Sequence, residues 1–165
     1  MDMSHCCDAF RGLREVKITF DDLNGDGWVM GNFPKILSGA IDLECLWVSG
    51  SCCFYISAQD ILGTTTWSHL TCLDFSNAAF DQGELVDLLR RHSATLLDVR
   101  LLCIFLADGS WESLLRGMKS YLSLQDISIQ DASEFGETGE VPVEIDIEEA
   151  TLKDYLLGNG PHPLS

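Results

Sequence analysis

The residues whose spacing comes closest to recognisable chemistry are Asp22, Asn24, Asp26 and Gly27, which follow the D-x-N-x-D-G opening of an EF-hand calcium loop. Such a loop closes on a bidentate carboxylate at its twelfth position. That position here is Phe33, whose ring cannot ligate a cation. An EF-hand also needs a helix ahead of its loop, whereas Leu13 to Phe20 alternates as a strand does. The stretch therefore reads as a polar turn, with Gly25 and Gly27 supplying positive-φ backbone. His5, Cys6 and Cys7 cluster near the start and Cys52 adjoins Cys53, but neither group has the C-x-x-C or paired Cys and His spacing of a zinc site. His69 and Cys72 stand three apart, which on a strand puts a would-be base and nucleophile on opposite faces. No H-x-E, G-x-S-x-G, glycine-rich phosphate loop or H-E-x-x-H occurs. The expectation is a non-catalytic protein with no metal and no cofactor; an enzyme with an unrecognised site is the remotest alternative.

A second set of residues acquires meaning through repetition. The apolar template L-x-x-L-x-L-x-x-x-x-L fits Leu70, Leu73, Phe75 and Phe80, and again Leu96, Val99, Leu101 and Leu106. It fits Leu13, Val16, Ile18 and Leu23, and also Leu43, Leu46, Val48 and Cys53. A fifth copy, Leu124, Ile127 and Ile129, has Glu134 in its last place. The copies begin 30, 27, 26 and 28 residues apart. This is leucine-rich-repeat spacing, in which each unit supplies one strand and a return segment and no unit can bury its apolar side alone. The ninth template place, ordinarily Asn or Cys, holds Asp21, Ser51, Ala78, Ile104 and Ala132, so the repeat is irregular.

The segments between strands carry helical periodicity. Asp81 to Glu84 reads as a capping box with Asp at the cap, ahead of an apolar face of Leu85, Leu88 and Leu89 on a helix from Asp81 to His92. A cationic His92 would suit the C-terminal end of that helix dipole. Ser110 is placed to cap a helix presenting Trp111, Leu114, Leu115 and Met118, and Phe33, Ile36 and Leu37 form a shorter apolar face behind Pro34. Val141, Val143, Ile145 and Ile147 alternate as a half-buried strand, and Glu148 to Leu157 reads as a capping helix. The expected fold is a single α/β domain over 1–165: a leucine-rich-repeat-like solenoid of about five strand–helix units, with a parallel sheet and helices on its outer face. The repeats start near 13, 43, 70, 96 and 124, a closing strand and helix span 141–157, and a tail follows at 158–165. The first strand, Leu13 to Phe20, is expected to be poorly covered and prone to fray.

In such a stack the third and fifth template places face the open concave side. The third gives Glu15, Cys45, Cys72, Asp98 and Asp126, and the fifth gives Lys17, Trp47, Asp74, Arg100 and Ser128. Trp47 is the natural anchor for a partner. Arg100 beside Asp74, Asp98 and Asp126 either reads a partner's charges or forms internal ion pairs. The partner-binding candidates are thus Glu15, Lys17, Trp47, Asp74, Asp98, Arg100, Asp126 and Ser128.

A formal charge of −16 argues against partners rich in phosphate, so neither nucleic acid nor membrane is expected. Eight acidic residues fall between Glu134 and Asp154. No apolar run is long enough to span a membrane and the N-terminus lacks the pattern of a secretory signal. Seven cysteines without such a signal suit a reducing cytosol or nucleus.

The run LTCLDFSNAAFDQGELVDLLRRHSATLLDVRLLCIFLADGSWESLLRGM, with L-L-R-R-H at Leu88–His92, L-x-x-V-x-L at Leu96–Leu101 and D-G-S-W at Asp108–Trp111, resembles the C-terminal repeat region of fungal F-box proteins. The end, LKDYLLGNGPHPL, is similar to the closing helix and tail of such proteins. The resemblance implies the substrate-recognition region of a cullin-RING ubiquitin ligase receptor, holding a protein substrate. Met1 leads within a dozen residues into the first repeat, so docking to the ligase adaptor is expected only if an F-box lies upstream. The alternative is a repeat scaffold with no ligase role.

Overall fold

The computed structural model describes residues 9–20, 33–55, 57–136 and 141–164; the side chains of 51–55 and 60 fall outside that description. The calcium-like loop, the His5–Cys7 cluster and the side chains of Cys52 and Cys53 therefore lie outside the described residues.

Among the described residues, seven strands form one open, mostly parallel mixed sheet, accompanied by four helices. Strands β1 (Glu15–Phe20), β2 (Cys45–Tyr55), β3 (Cys72–Asp81) and β4 (Asp98–Asp108) pair successively in parallel. Two short strands, β5 (Asp126–Gln130) and β6 (Ala132–Phe135), pair with consecutive stretches of β4, also in parallel. The last, β7 (Pro142–Ile145), runs antiparallel to β6. Helices α1 (Ala58–Leu62), α2 (Gln82–Arg91) and α3 (Trp111–Tyr121) connect successive strands, and α4 (Glu149–Leu157) follows β7. Residues 33–37 form a further helical turn.

Alternation along the strands builds the core. Val16 and Ile18, Leu46 and Val48, Leu73 and Phe75, Val99 and Leu101, and Ile127 and Ile129 all point inward and are buried. They meet Leu85, Leu88 and Leu89 of α2, Trp111, Leu114, Leu115 and Met118 of α3, and Leu152 and Leu156 of α4 in one continuous cluster. Burial of this kind is the main force holding the layers together.

Two backbone features recur with the repeat. Arg14, Glu44, Thr71 and Leu97 each use one carbonyl to accept two N–H groups from the next strand's entry: Glu44 and Cys45, Thr71 and Cys72, Leu97 and Asp98, then Gln125 and Asp126. These eight bonds span 2.7 to 3.0 Å. Further along, Asn77, Cys103 and Asp131 sit in left-handed backbone, at φ of 54°, 52° and 51°. All three occupy the eighth template place, where the strand bends before resuming at Ala78, Ile104 and Ala132. Asn and Asp tolerate this conformation better than most residues, Cys less so.

Several expectations need correction. Asp81 holds the N-cap position of α2 in extended backbone, but its side chain makes no capping hydrogen bond; Glu84, the other half of the expected box, instead accepts from the Ser57 hydroxyl at 3.1 Å. Helix α2 ends at Arg91, and His92 beyond it is 1% exposed, where burial lowers its pKa, so it is not a cationic partner of the dipole. Ser110 does cap α3, accepting from the Ser113 N–H at 3.3 Å. Val141 and Val143 are exposed rather than half-buried, because β7 pairs antiparallel at the sheet's margin. Leu13, a first template residue, is also exposed, whereas Val16, Ile18 and Phe20 are covered, the last by an edge contact with Phe33 at 5.9 Å between ring centroids.

Candidate functional site

The parallel register decides what shares the sheet's open face. Glu15, Cys45, Cys72, Asp98 and Asp126 are successive partners across β1 to β5, and so are Lys17, Trp47, Asp74, Arg100 and Ser128. Side chains two apart on a strand share a face, so the two rows run side by side. A groove of about 530 Å³ lies over them, lined by Lys17, Trp47, Asp74, Arg100, Asp126 and Ser128 among others. Glu15 is not in its wall. It lines, with Lys17 and Trp47, an adjoining recess of about 370 Å³. Asp98 lines neither and acts through Arg100.

The charges of this face are largely paired. Arg100 donates Nε and one terminal nitrogen to the two carboxylate oxygens of Asp98, at 3.3 and 2.9 Å. Lys153, reaching in from α4, bridges Asp126 and Glu149 at 2.9 Å each. The hydrogen bond from Lys153 lowers the pKa of Asp126, and the hydrogen bonds to Glu149 and Asp126 raise that of Lys153. Asp74 differs. Partial burial raises its pKa, Arg100 opposes this through its charge, and Asp98 reinforces it. Among the described residues no side chain donates a hydrogen bond to its carboxylate.

Compared with protein-family models, curated proteins and solved structures, the chain matches none.

Cys45 and Cys72 are register partners within the third-place row. Burial is the main cause that pushes the Cys72 thiol up to about 12, with the nearby Asp98 charge adding to it, and Cys45 is raised chiefly by burial too. Neither is a ready nucleophile, since only the thiolate attacks. Among the described residues no group of three or more His, Cys, Asp or Glu side chains is placed to hold a metal ion, and no helix is long and apolar enough to cross a membrane.

The rows omit two contributors. One is a further row, Thr19, Ser49, Ser76, Leu102 and Gln130, which the strands carry because they extend past the sixth template place. Thr19, Ser49, Ser76, Leu102 and Gln130 all line the groove, and Leu102 is an exposed apolar side chain. Period-two alternation extended by one step would have found them. The other is Glu149 with Lys153, whose approach depends on how α4 packs against β5 and α3, a long-range contact with no local signal.

Proposed function

We propose that this chain is a non-catalytic protein-interaction module whose partner lies along the groove over β1 to β5. The observation that carries the proposal is the in-register pair of rows, which presents polar, charged and aromatic side chains side by side above a buried apolar layer. The repeated two-donor carbonyl and the repeated left-handed bend support a leucine-rich-repeat-like stack of about five units as the underlying architecture. A half-buried Trp47 beside charged neighbours has the composition of a binding hot spot. Through its resemblance to fungal F-box proteins, the reading extends to the substrate-recognition region of a cullin-RING ligase receptor, with adaptor binding only if an F-box lies upstream.

A second reading, a repeat scaffold without ligase role, is favoured by the internal pairing of Arg100 with Asp98 and of Lys153 with Asp126 and Glu149. Those pairs commit side chains to holding the face itself. The two readings are separated by proximity labelling in cells with the native protein, alongside a Trp47→Ala, Arg100→Glu double variant of matched Tm. Proteins labelled by the wild type, lost with the variant and bound directly when purified support the module. Co-labelling of a cullin and its adaptor supports the receptor role, and its absence beside retained partners supports the scaffold.

A further inference from the structure

Trp47 of β2 and Asp74 of β3 are direct register partners, both half-buried, on the open face. Of the other charged groups nearby, Arg100 is committed to Asp98 and Lys153 to Asp126 and Glu149, while Lys17 and Arg100 reach Asp74 through their charges alone. Asp74 alone presents a partly desolvated carboxylate to the groove with no side-chain donor among the described residues. An indole face attracts a cation through its quadrupole, and a carboxylate short of donors gains a charge-assisted hydrogen bond from one. Taking Glu149 and Lys153 of α4 with the two rows, five carboxylates (Glu15, Asp74, Asp98, Asp126 and Glu149) face three cations (Lys17, Arg100 and Lys153). The chain as a whole carries −16, which draws cationic segments and repels both acidic ones and a second copy of itself.

From this complementarity we infer that the groove takes an extended basic segment of a protein partner, with an Arg or Lys side chain seated between the indole of Trp47 and the carboxylate of Asp74. The inference rests on the interaction-module reading and adds to it the chemistry of the partner. Five strands about 4.8 Å apart make a groove about 19 Å long, the length of roughly six extended residues. A segment of that size crosses from the Lys17 end to Lys153, passing the exposed Leu102.

The test uses the intact chain, immobilised, and a hexapeptide library sorted into pools with one position fixed as Arg, Lys, Glu, Asp or Leu. The Arg and Lys pools are retained, less well as NaCl rises from 50 to 500 mM. Their retention falls at least about tenfold in Asp74→Asn and in Trp47→Ala, with folding checked by circular dichroism. Lys17→Glu, an exposed change that cannot unsettle the core, raises retention of the same pools. Retention of Glu, Asp or Leu pools instead, abolished by Trp47→Ala, leaves the groove standing and overturns the basic partner. Basic pools retained equally by the wild type and all folded variants bind elsewhere, which also overturns it. If no pool is retained, the groove reading falls together with the inference.

Discussion

The imidazole of His92 joins two turns of the chain: its Nε2 accepts the backbone N–H of Trp67 at 3.1 Å, and its Nδ1 lies 2.9 Å from the carbonyl of Leu88. The ring also stacks on the Trp67 indole, 5.5 Å between centroids and 18° from parallel. An acceptor at Nε2 and a donor at Nδ1 define one neutral tautomer. Burial accordingly lowers the pKa of His92 below its ordinary 6.5, with Arg91 adding repulsion and the Leu88 bond opposing. A depressed folded value means the unfolded chain binds the proton more readily, so this stability is complete above about 6.5 and is lost as pH falls through the folded value. Thermal unfolding from pH 7.5 to 5.0 should show a declining Tm. His92→Gln, which cannot titrate, should flatten that slope.

Glu134 takes the last apolar place of the fifth repeat, yet its carboxylate accepts the backbone N–H of Trp111 at the start of α3, while the Trp111 indole donates to the Ser133 carbonyl at 2.9 Å. A carboxylate there satisfies an orphan N–H and complements the helix dipole. Replacing it with the leucine that the repeat suggests should therefore destabilise the protein, by about 1–2 kcal/mol. Urea denaturation of Glu134→Leu measures this; a gain in stability would show the hydrogen bond to be dispensable.

The Cys72 thiol, pushed up to about 12, should resist alkylation at pH 7.5 in the folded protein and react once urea unfolds it. Part of the cause is the Asp98 charge, so Asp98→Asn should speed the reaction in the folded state. Peptide mapping after timed iodoacetamide treatment reads the rate at this position. Equal rates in the two folded proteins would show that the Asp98 charge does not hold the thiol back.

Gly109 has φ of 85°, and a Cβ there would lie 2.1 Å from Oε1 of Gln82. That amide accepts the Ser110 N–H at 2.7 Å and donates to the Ser113 hydroxyl at 3.0 Å, tying the start of α2 to that of α3. Gly109→Ala should cost about 2–3 kcal/mol, from left-handed backbone and from displacing Gln82. Combined with Gln82→Ala it should cost less than the sum of the two changes, since the second removes what the first displaces. Stability curves for the four proteins of the cycle test this.

The two rows are legible in the sequence because alternation and a shared template suffice to fix which residues face the same way; Trp47 and Asp74 hold the same template place, and they pair in the sheet. The helix faces followed likewise from spacing, as Leu85, Leu88 and Leu89 illustrate. What escaped were contacts between residues distant in sequence. His92 looked like a dipole partner because nothing local shows that Trp67 covers it. Glu134 looked like a defect because its value lies in a helix end 23 residues earlier. Val141 and Val143 alternate as a buried strand would, but antiparallel pairing at the margin leaves them in solvent.

The carbonyls of Arg14, Glu44, Thr71 and Leu97, each gripping two N–H groups, index one strand against the next whatever the length of chain between them. Variation in the return segments is absorbed away from the open face, which behaves as a printed grid: fixed spacing, interchangeable characters. A substitution at one square changes the side chain presented there, while the backbone frame beneath it keeps its register.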